Sequence, residues 1–505
     1  MVLYQSKIIH LIQNMPENKI LIVENNKKYT SGMLLKMSEH LAIHLLKKGY
    51  KKEDRAVIAI APSIELIITI FALLRLNTTV SLIDPEMGTL NYASKFKQFQ
   101  PTWAFVDSRL LFLNEHPILK FFYQKISKNP KSFPPTKNIR IVKTGIDLPL
   151  FTESIKFKKL LRNHNEHIQI SDANEDEPFI TTYTSGTLDE PKGVVHSIER
   201  LYNSILSLCS LFDENDKKMA THLPHFALIG IVAGLETHLF PQKLSIRNKL
   251  DFIKKNEITT LFAPPVEYQQ MMDYCKTKDT KFPKTLSHLF FGSAPVYPKF
   301  LKQIITLIGE HTKLTCLYGM TENLIVSSID GRAKANYNGS GDILGKAING
   351  VQIEISEENE IMLKSPQLFL GYFGKPKTEG FHLTGDLGRL DQDGNIILLG
   401  RKKDMIIRRN TNIYPGLYES TIVKIAGVEE VAMIGKYNHN IQDEEIILVV
   451  EGNISEASLI KELKYGKYNI DKEAFPDRFI FMKIPKSGRQ NKTDKKQIRL
   501  LIDEK

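Results

Sequence analysis

The chain has 505 residues, 42% hydrophobic and 25% charged, with a formal net charge of +11. That length exceeds one simple core and calls for at least two domains, and the balance of apolar and charged residues excludes the disordered and collagen-like classes. The positive charge reads as a solvated lysine-rich surface, a matter of solubility before function, so no nucleic-acid partner is expected.

In chain order, Met1 to Met15 interrupts a short apolar patch with Lys7, His10 and Gln13 and lacks the pattern of a secretory signal. Lys19 to Tyr29 reads as two short strands around Glu24-Asn25-Asn26, and Ser31 to Lys48 as a helix. Arg55 to Ala61 as strand, Ile64 to Leu76 as buried helix and Thr79 to Ile83 as strand make a crossover unit of a parallel sheet. The Ile64 to Leu76 run carries Glu65 and Arg75 and is shorter than the roughly 20 residues a bilayer needs, so no transmembrane segment is expected. Lys120 to Lys143 mixes seven basic residues with Phe121, Phe122, Tyr123 and Phe133. Such a mixture suits peripheral contact with lipid headgroups, but Pro130, Pro134 and Pro135 favour an exposed, irregular insertion.

The alternation returns later: helix near Lys249 to Asn256, strand Ile258 to Phe262, helix Pro265 to Cys275, strand Leu286 to Phe291, helix Lys299 to Ile308 and strand Lys313 to Leu317. A layered α/β architecture follows. After Gly400 the character changes to a short, charged strand-and-helix mix, with Tyr418 to Ala426 helical and Val431 to Ile434 and Glu445 to Val450 extended. A polar junction at Gly400-Arg401-Lys402-Lys403-Asp404 divides the chain into domains 1–400 and 401–505. Cys209, Cys275 and Cys316 are too few and too widely spaced for a disulfide framework or a metal knuckle, which suits a reducing, cytoplasmic setting.

Five segments carry chemistry. Thr181 to Gly193 packs small hydroxyl residues around Gly186 and closes on Lys192-Gly193. Backbone N–H groups and hydroxyls in such a loop can wrap phosphate oxygens while the lysine adds a point charge. Its spacing is not that of a P-loop, since no Ser or Thr follows Lys192. Gly292-Ser293-Ala294-Pro295 and Tyr318-Gly319-Met320-Thr321-Glu322 each follow an expected strand. Thr384-Gly385-Asp386 offers a carboxylate in a turn, and Pro485 to Lys492 is a basic loop near the C-terminus.

In this order these segments resemble the motifs of the adenylate-forming enzymes, the family of acyl-CoA synthetases, firefly-type luciferases and peptide-synthetase adenylation domains. The resemblance runs from Thr184 to Lys492, and the N-terminal crossover pattern agrees with it from about Lys19. It implies a large multi-layer N-terminal α/β domain followed by a smaller mobile α+β lid.

It implies that Thr184, Ser185, Gly186, Thr187 and Lys192 hold phosphates, and that Gly292, Ser293, Ala294 and Pro295 lie along adenine. Tyr318, with Gly319 and Met320, would stack on that ring, a flat π-face suiting a purine. Thr321 would meet the α-phosphate, and Glu322 would bind magnesium, a hard carboxylate suiting that ion. Asp386 and Arg401 would grip the ribose, Lys403 would be the hinge, and Lys492 would drive adenylation, with Lys486 and Lys495 as alternatives because this chain has one extra residue before Lys492.

The implied reaction is ATP- and Mg²⁺-dependent activation of a small-molecule carboxylic acid, a fatty acid by the resemblance, to its acyl-adenylate with release of pyrophosphate. Transfer to a thiol follows, with coenzyme A as the favoured co-substrate. Three departures from the family pattern stand out: Leu188-Asp189 replaces Thr-Gly in the phosphate loop, Arg409-Asn410 replaces a glycine pair common in coenzyme A ligases, and Ala227 replaces a histidine at the acyl pocket. The alternatives are closure of a β-lactone by the substrate's own hydroxyl, as in olefin-pathway β-lactone synthetases, charging of an acyl carrier protein, and a catalytically weak nucleotide-binding protein.

Overall fold

The structure, a computed structural model, describes residues 1–83, 89–126, 138–164, 166–183, 192–241, 244–409, 411–439, 442–468, 470–487 and 492–503. The chain divides into two compact units. The first comprises Met1–Phe262, Met320–Leu324 and Pro366–Thr378; the second comprises Ala263–Gly319, Ile325–Ser365 and Glu379–Lys505.

In the first unit the expected crossover is present. Strands Arg55–Ala59 and Thr79–Leu82 pair in parallel, Arg55 opposite Thr79 and Ile58 opposite Leu82, with helix Ile64–Arg75 connecting them. Ser63 caps that helix by accepting the Leu66 N–H, and every residue from Leu66 to Arg75 is buried. Each Leu or Ile fully buried there contributes roughly 1.5–3 kcal/mol of transfer free energy, which explains an apolar run without a polar stripe. The sheet continues through Trp103–Asp107, Arg140–Thr144 and Ile155–Lys156 on one side and Pro178–Tyr183, Gly193–Ser197 and Gly371–Tyr372 on the other. The last two joins are antiparallel. A second run of strands, Thr260–Ala263, Lys218–Thr221, Glu236–Leu239 and Ile20–Glu24, ends in the hairpin strand Lys27–Thr30. Asn25 and Asn26 turn that hairpin with φ of 49° and 63°, the left-handed pair that a two-residue hairpin favours and that asparagine tolerates.

The second unit carries the strand His288–Phe291, the parallel neighbour Lys313–Met320 as far as Gly319, strand Asn323–Asp330 from Ile325 onward, and then in the sheet Asp342–Ala347, Ile396–Arg401, His382–Leu390, Glu360–Lys364 and Gln352–Ile355. Beyond residue 401 a separate sheet joins Val428–Asn438, Asp443–Gly452 and Arg478–Phe481. Its strands alternate as the pleat requires. Val431, Met433, Leu448 and Val450 face one core with Ile422, Leu459 and Leu463, whereas Ala432, Ile434, Ile447 and Val449 face another with Ile484, Ile498 and Ile502.

One expectation is corrected. The Lys120 to Lys143 region is not irregular where it is described: helix Pro117–Ile126 covers its start and strand Arg140–Thr144 its end. Pro117 stands at the first helical position, where a missing N–H costs nothing. Ile141 and Val142 are buried on a strand paired in parallel with Trp103–Asp107. Pro130, Pro134 and Pro135 lie outside the described residues. Among the described residues no helix is long and apolar enough to cross a membrane.

Candidate active site

The second unit builds a charged cluster around Asp386. Strands His382–Leu390 and Ile396–Arg401 pair with Asp386 opposite Arg401, so the carboxylate and the guanidinium meet by register. Asp386 is 1% exposed. Its Oδ2 accepts a hydrogen bond from the Tyr318 hydroxyl at 2.6 Å. Arg401 Nε lies 2.7 Å from Oδ1, yet that contact is not aligned as a hydrogen bond, and Oδ1 is buried without a hydrogen-bond partner. A buried carboxylate oxygen left in this state carries a desolvation cost that an incoming hydroxyl would relieve.

Burial raises the Asp386 carboxyl above the usual carboxylate range, opposed by Arg401, Tyr318 and Lys492 and reinforced by Glu360. Tyr318 is in turn pushed well above the ordinary phenol range, by burial first and then by Asp386.

The turn that presents Asp386 is held by a residue not singled out in the sequence. Gly385 has φ of +72°, a left-handed conformation that glycine adopts without steric cost. Its N–H is received by Glu360 Oε1 at 2.8 Å. Thr384 Oγ1 donates to Ile361 O at 2.8 Å and accepts the Asp386 N–H at 3.0 Å. Glu360 is buried, and its other oxygen accepts from Lys402 Nζ at 2.9 Å, an ammonium that also meets Glu358 at 2.6 Å. Lys402 thus serves as counter-ion to the carboxylate behind the turn. Lys403 occupies the same single turn of 3₁₀ helix, Lys402–Asp404.

Lys492 begins the short strand Lys492–Thr493, paired antiparallel with Lys486–Ser487. Its side chain remains solvent-accessible, but protein atoms crowd the ammonium enough that desolvation lowers its pKa. Arg401 and Lys403 push the same way and Asp386 opposes them. The two alternative lysines face elsewhere. Lys486 is ion-paired with Glu430, and Lys495 Nζ sits 2.7 Å from Glu419 and donates to Met433 O.

Phe291 pairs with Cys316 on parallel strands, so the Gly292–Pro295 turn leaves its strand where the neighbouring strand runs on through Leu317 and Tyr318. The C-terminal ends of adjacent parallel strands are where open α/β sheets bind ligands. Ser293 turns the chain with φ of 72°; Gly292 is buried and Pro295 exposed. Gly319 closes this side of the Tyr318-to-Glu322 segment, whose remaining residues Met320, Thr321 and Glu322 belong to the first unit.

In the first unit, Thr321 and Glu322 are fixed by residues that the sequence did not flag. His196 Nε2 lies 2.8 Å from Thr321 O; burial lowers its pKa, so a neutral ring carrying its proton on Nε2 is the tautomer that donates. Tyr372 donates its hydroxyl to Glu322 Oε1 at 3.0 Å, and the Phe369 N–H is received by Glu322 O at 2.8 Å. Lys192 Nζ stands 5.4 Å from the centre of the Tyr372 ring, within cation–π range. One tyrosine therefore meets both Lys192 and Glu322. Thr184, Ser185, Gly186, Thr187 and the Leu188-Asp189 departure lie outside the described residues.

The other departures have structural correlates. Arg409 has φ of +48° and donates its N–H to Asp443 Oδ2 at 3.0 Å. The backbone there adopts a conformation suited to glycine while carrying a long cationic side chain. Ala227 is buried on helix Pro224–Val232.

The model of the family described as AMP-binding enzyme matches residues 10–373 of this chain. A 2-succinylbenzoate–CoA ligase of Listeria monocytogenes is 27% identical over 329 residues, 61% of this chain and 66% of that protein. The match therefore spans just under two thirds of that relative's length. A 2-succinylbenzoate–CoA ligase of a Geobacillus species is 24% identical over 83% of this chain and 81% of its own length. The long-chain-fatty-acid–CoA ligase FadD13 of Mycobacterium tuberculosis is 26% identical over 62% of this chain and 65% of its own. Among solved structures, the amide bond synthetase McbA from Marinactinospora thermotolerans matches with a TM-score of 0.78 at 16% identity, over 98% of this chain and 99% of that one. The Bacillus subtilis o-succinylbenzoate CoA synthetase in complex with its acyl-adenylate matches at 0.76 and 20%, over 98% of both chains. At these identities the structures speak for the fold, and the fold is that of adenylate-forming enzymes. With the family model covering more than half of its length, this chain belongs to the AMP-binding enzyme family.

Proposed function

We propose that this protein activates a carboxylic acid with ATP, forming an acyl-adenylate and pyrophosphate, and then passes the acyl group to a thiol, with coenzyme A as that thiol. The observation that carries the reading is the Asp386 cluster: a buried carboxylate with one oxygen held by Tyr318 and the other ion-paired to Arg401 but without a hydrogen bond, within the field of Lys492. An acceptor oxygen poised in this way suits the vicinal hydroxyls of a ribose, which need a strong acceptor and supply their own donors.

In this reading Tyr318 and the Gly292–Pro295 turn hold adenine, Asp386 and Arg401 the ribose, and Thr321, Lys192 and the Thr184–Thr187 loop the phosphates. Glu322 has the chemistry to hold Mg²⁺, since a hard carboxylate with one oxygen steadied by Tyr372 is an ordinary ligand for that ion. A bound Mg²⁺ would neutralise phosphate charge. Lys492 then steadies the charge that gathers as the carboxylate attacks the α-phosphorus. In such steps positioning and electrostatics supply most of the catalysis. The Lys492 pKa is lowered by desolvation first and then by Arg401 and Lys403, against Asp386, and a pyrophosphate-bearing ligand would offset that cost.

The division at 400/401, with Lys403 as hinge of a mobile lid, belongs to this proposal, as does a cytoplasmic location. A second reading is motivated by Arg409, which puts a side chain where many coenzyme A ligases keep glycine: transfer to a carrier-protein thiol, or ring closure by a β-hydroxyl. ATP–pyrophosphate exchange with a panel of fatty and aromatic acids tests the adenylation. Absence of exchange with every acid would leave a nucleotide-binding protein without this chemistry. Mass analysis after adding coenzyme A then separates thioester from β-lactone from unreacted adenylate.

A further inference from the structure

The first unit contains a cavity of about 830 Å³ that none of the proposed roles uses. Its volume falls in the range of small-molecule sites. Strands Pro178–Tyr183, Gly193–Ser197 and Gly371–Tyr372 form one wall. Thr181 pairs with Val195 and Val195 with Gly371, and directly opposed residues of neighbouring strands share a face. Ser94, Lys97 and Gln98 of helix Thr89–Phe99 line another wall.

The chemistry of the lining is one-sided. Val195, Leu370, Tyr372 and Phe373 supply apolar surface, while Arg55, Lys97, Lys375 and Lys377 supply four cations, and among the described residues no carboxylate lines the cavity. Arg55 is oriented by donating to Phe99 O at 3.1 Å and by lying 5.6 Å from the Phe373 ring centre. Thr181 is 0% exposed, and its hydroxyl has no hydrogen-bond partner. An unmatched buried hydroxyl costs roughly 1–3 kcal/mol, so its presence in a cavity wall points to a ligand oxygen that completes it. Lysines gathered without acids attract anions, and an apolar wall beside them selects anions that carry an apolar body.

We propose that this cavity is a binding site for an anionic amphiphile: a carboxylate or phosphate head met by Lys97, Lys375, Lys377 and Arg55, an apolar tail against Val195, Leu370 and Phe373, and an oxygen of the ligand accepting from Thr181 Oγ1. The site shares Tyr372 with the candidate active site but none of the residues given catalytic, nucleotide or metal roles above, so it does not depend on the adenylation reading.

The test is calorimetric titration of the full chain, without ATP, with dodecanoate and with dodecyl phosphate below their micelle concentrations, using dodecyltrimethylammonium as a control of equal tail and opposite charge. At least one anion is expected to bind and the cation not to; the tighter anion identifies the head group. Reversing two rim charges, Lys97→Glu with Lys375→Glu, is expected to weaken binding about tenfold, the scale of removing two partly solvated charge contacts and adding repulsion. Thr181→Val keeps the shape and removes the donor, and should weaken binding roughly three- to tenfold. Ser94→Trp, at an exposed helical position, should block the cavity. Failure of both anions to bind, equal binding of the cation, or affinities unchanged by all three variants would each overturn the proposal.

Discussion

Glu360 offers a direct test of how the Asp386 turn is held. Its carboxylate is 4% exposed and receives the Gly385 N–H at 2.8 Å, while its second oxygen is met by Lys402. Glu360→Ala removes the acceptor and leaves a backbone donor facing a void. A hydrogen bond to a charged group is worth roughly 1.5–3 kcal/mol, and Lys402 keeps Glu358 and water as partners, so the Gly385 bond dominates the loss. Glu360→Gln preserves an oxygen for that bond without the charge and should cost about half as much. If ATP must restore the turn in order to use Asp386, the same energy appears in affinity. Glu360→Ala is then expected to weaken ATP binding about ten- to a hundredfold and Glu360→Gln several-fold less, since about 1.4 kcal/mol is a factor of ten. Calorimetric ATP titration together with urea unfolding at constant slope measures both quantities. Wild-type stability and wild-type ATP affinity in Glu360→Ala would refute the claim that this carboxylate positions the turn.

Lys492→Ala should lower pyrophosphate exchange by on the order of 10²–10³, the scale for losing one preorganised charge, with ATP binding still measurable. Lys486→Ala and Lys495→Ala should retain exchange, because their ammonium groups are engaged by Glu430 and Glu419; a dead Lys486→Ala would move the catalytic role there. Asp386→Asn should lose ATP binding while gaining stability at neutral pH. Burial raises the Asp386 carboxyl, so its favourable contribution is complete below the unfolded-state value near pH 4 and is lost as pH rises through the higher folded value. The stability gain of Asp386→Asn over the parent should therefore be present at pH 7 and shrink below about pH 4, and a variant less stable than the parent at pH 7 would contradict this. Arg409→Gly should be close to neutral in unfolding measurements: relief of about 1 kcal/mol of left-handed strain offsets about 0.4–1 kcal/mol of added chain entropy in the unfolded state. Mass analysis is expected to show more acyl-CoA thioester from this variant, and an unchanged yield would mean that Arg409 does not obstruct the thiol.

Local order was legible in the sequence because its causes are local. The crossover from Arg55 to Leu82, the Asn25-Asn26 hairpin and the alternating strands of the C-terminal sheet follow from periodicity and turn chemistry, which act over a few residues. In the Lys120 to Lys143 segment the prolines dominate the composition and point to irregular chain, whereas helix and strand occupy its described ends. The chemistry-bearing segments could likewise be picked out, since each concentrates unusual residue types beside an expected strand end.

What no window of sequence contains is the partner of each polar group. His196 reaches Thr321 across 125 positions, Tyr318 reaches Asp386 across 68, Tyr372 reaches Glu322 across 50 and Lys402 reaches Glu360 across 42. A lone histidine in an apolar strand or a glutamate ahead of a buried one carries no periodic signal; its significance arises when sheet register brings a distant donor within 3 Å. The sequence offers the candidate residues one by one, by type and spacing. Their protonation, their orientation and the supporting groups Glu360, Lys402, His196 and Tyr372 were decided by tertiary packing, because hydrogen bonds and desolvation depend on neighbours in space.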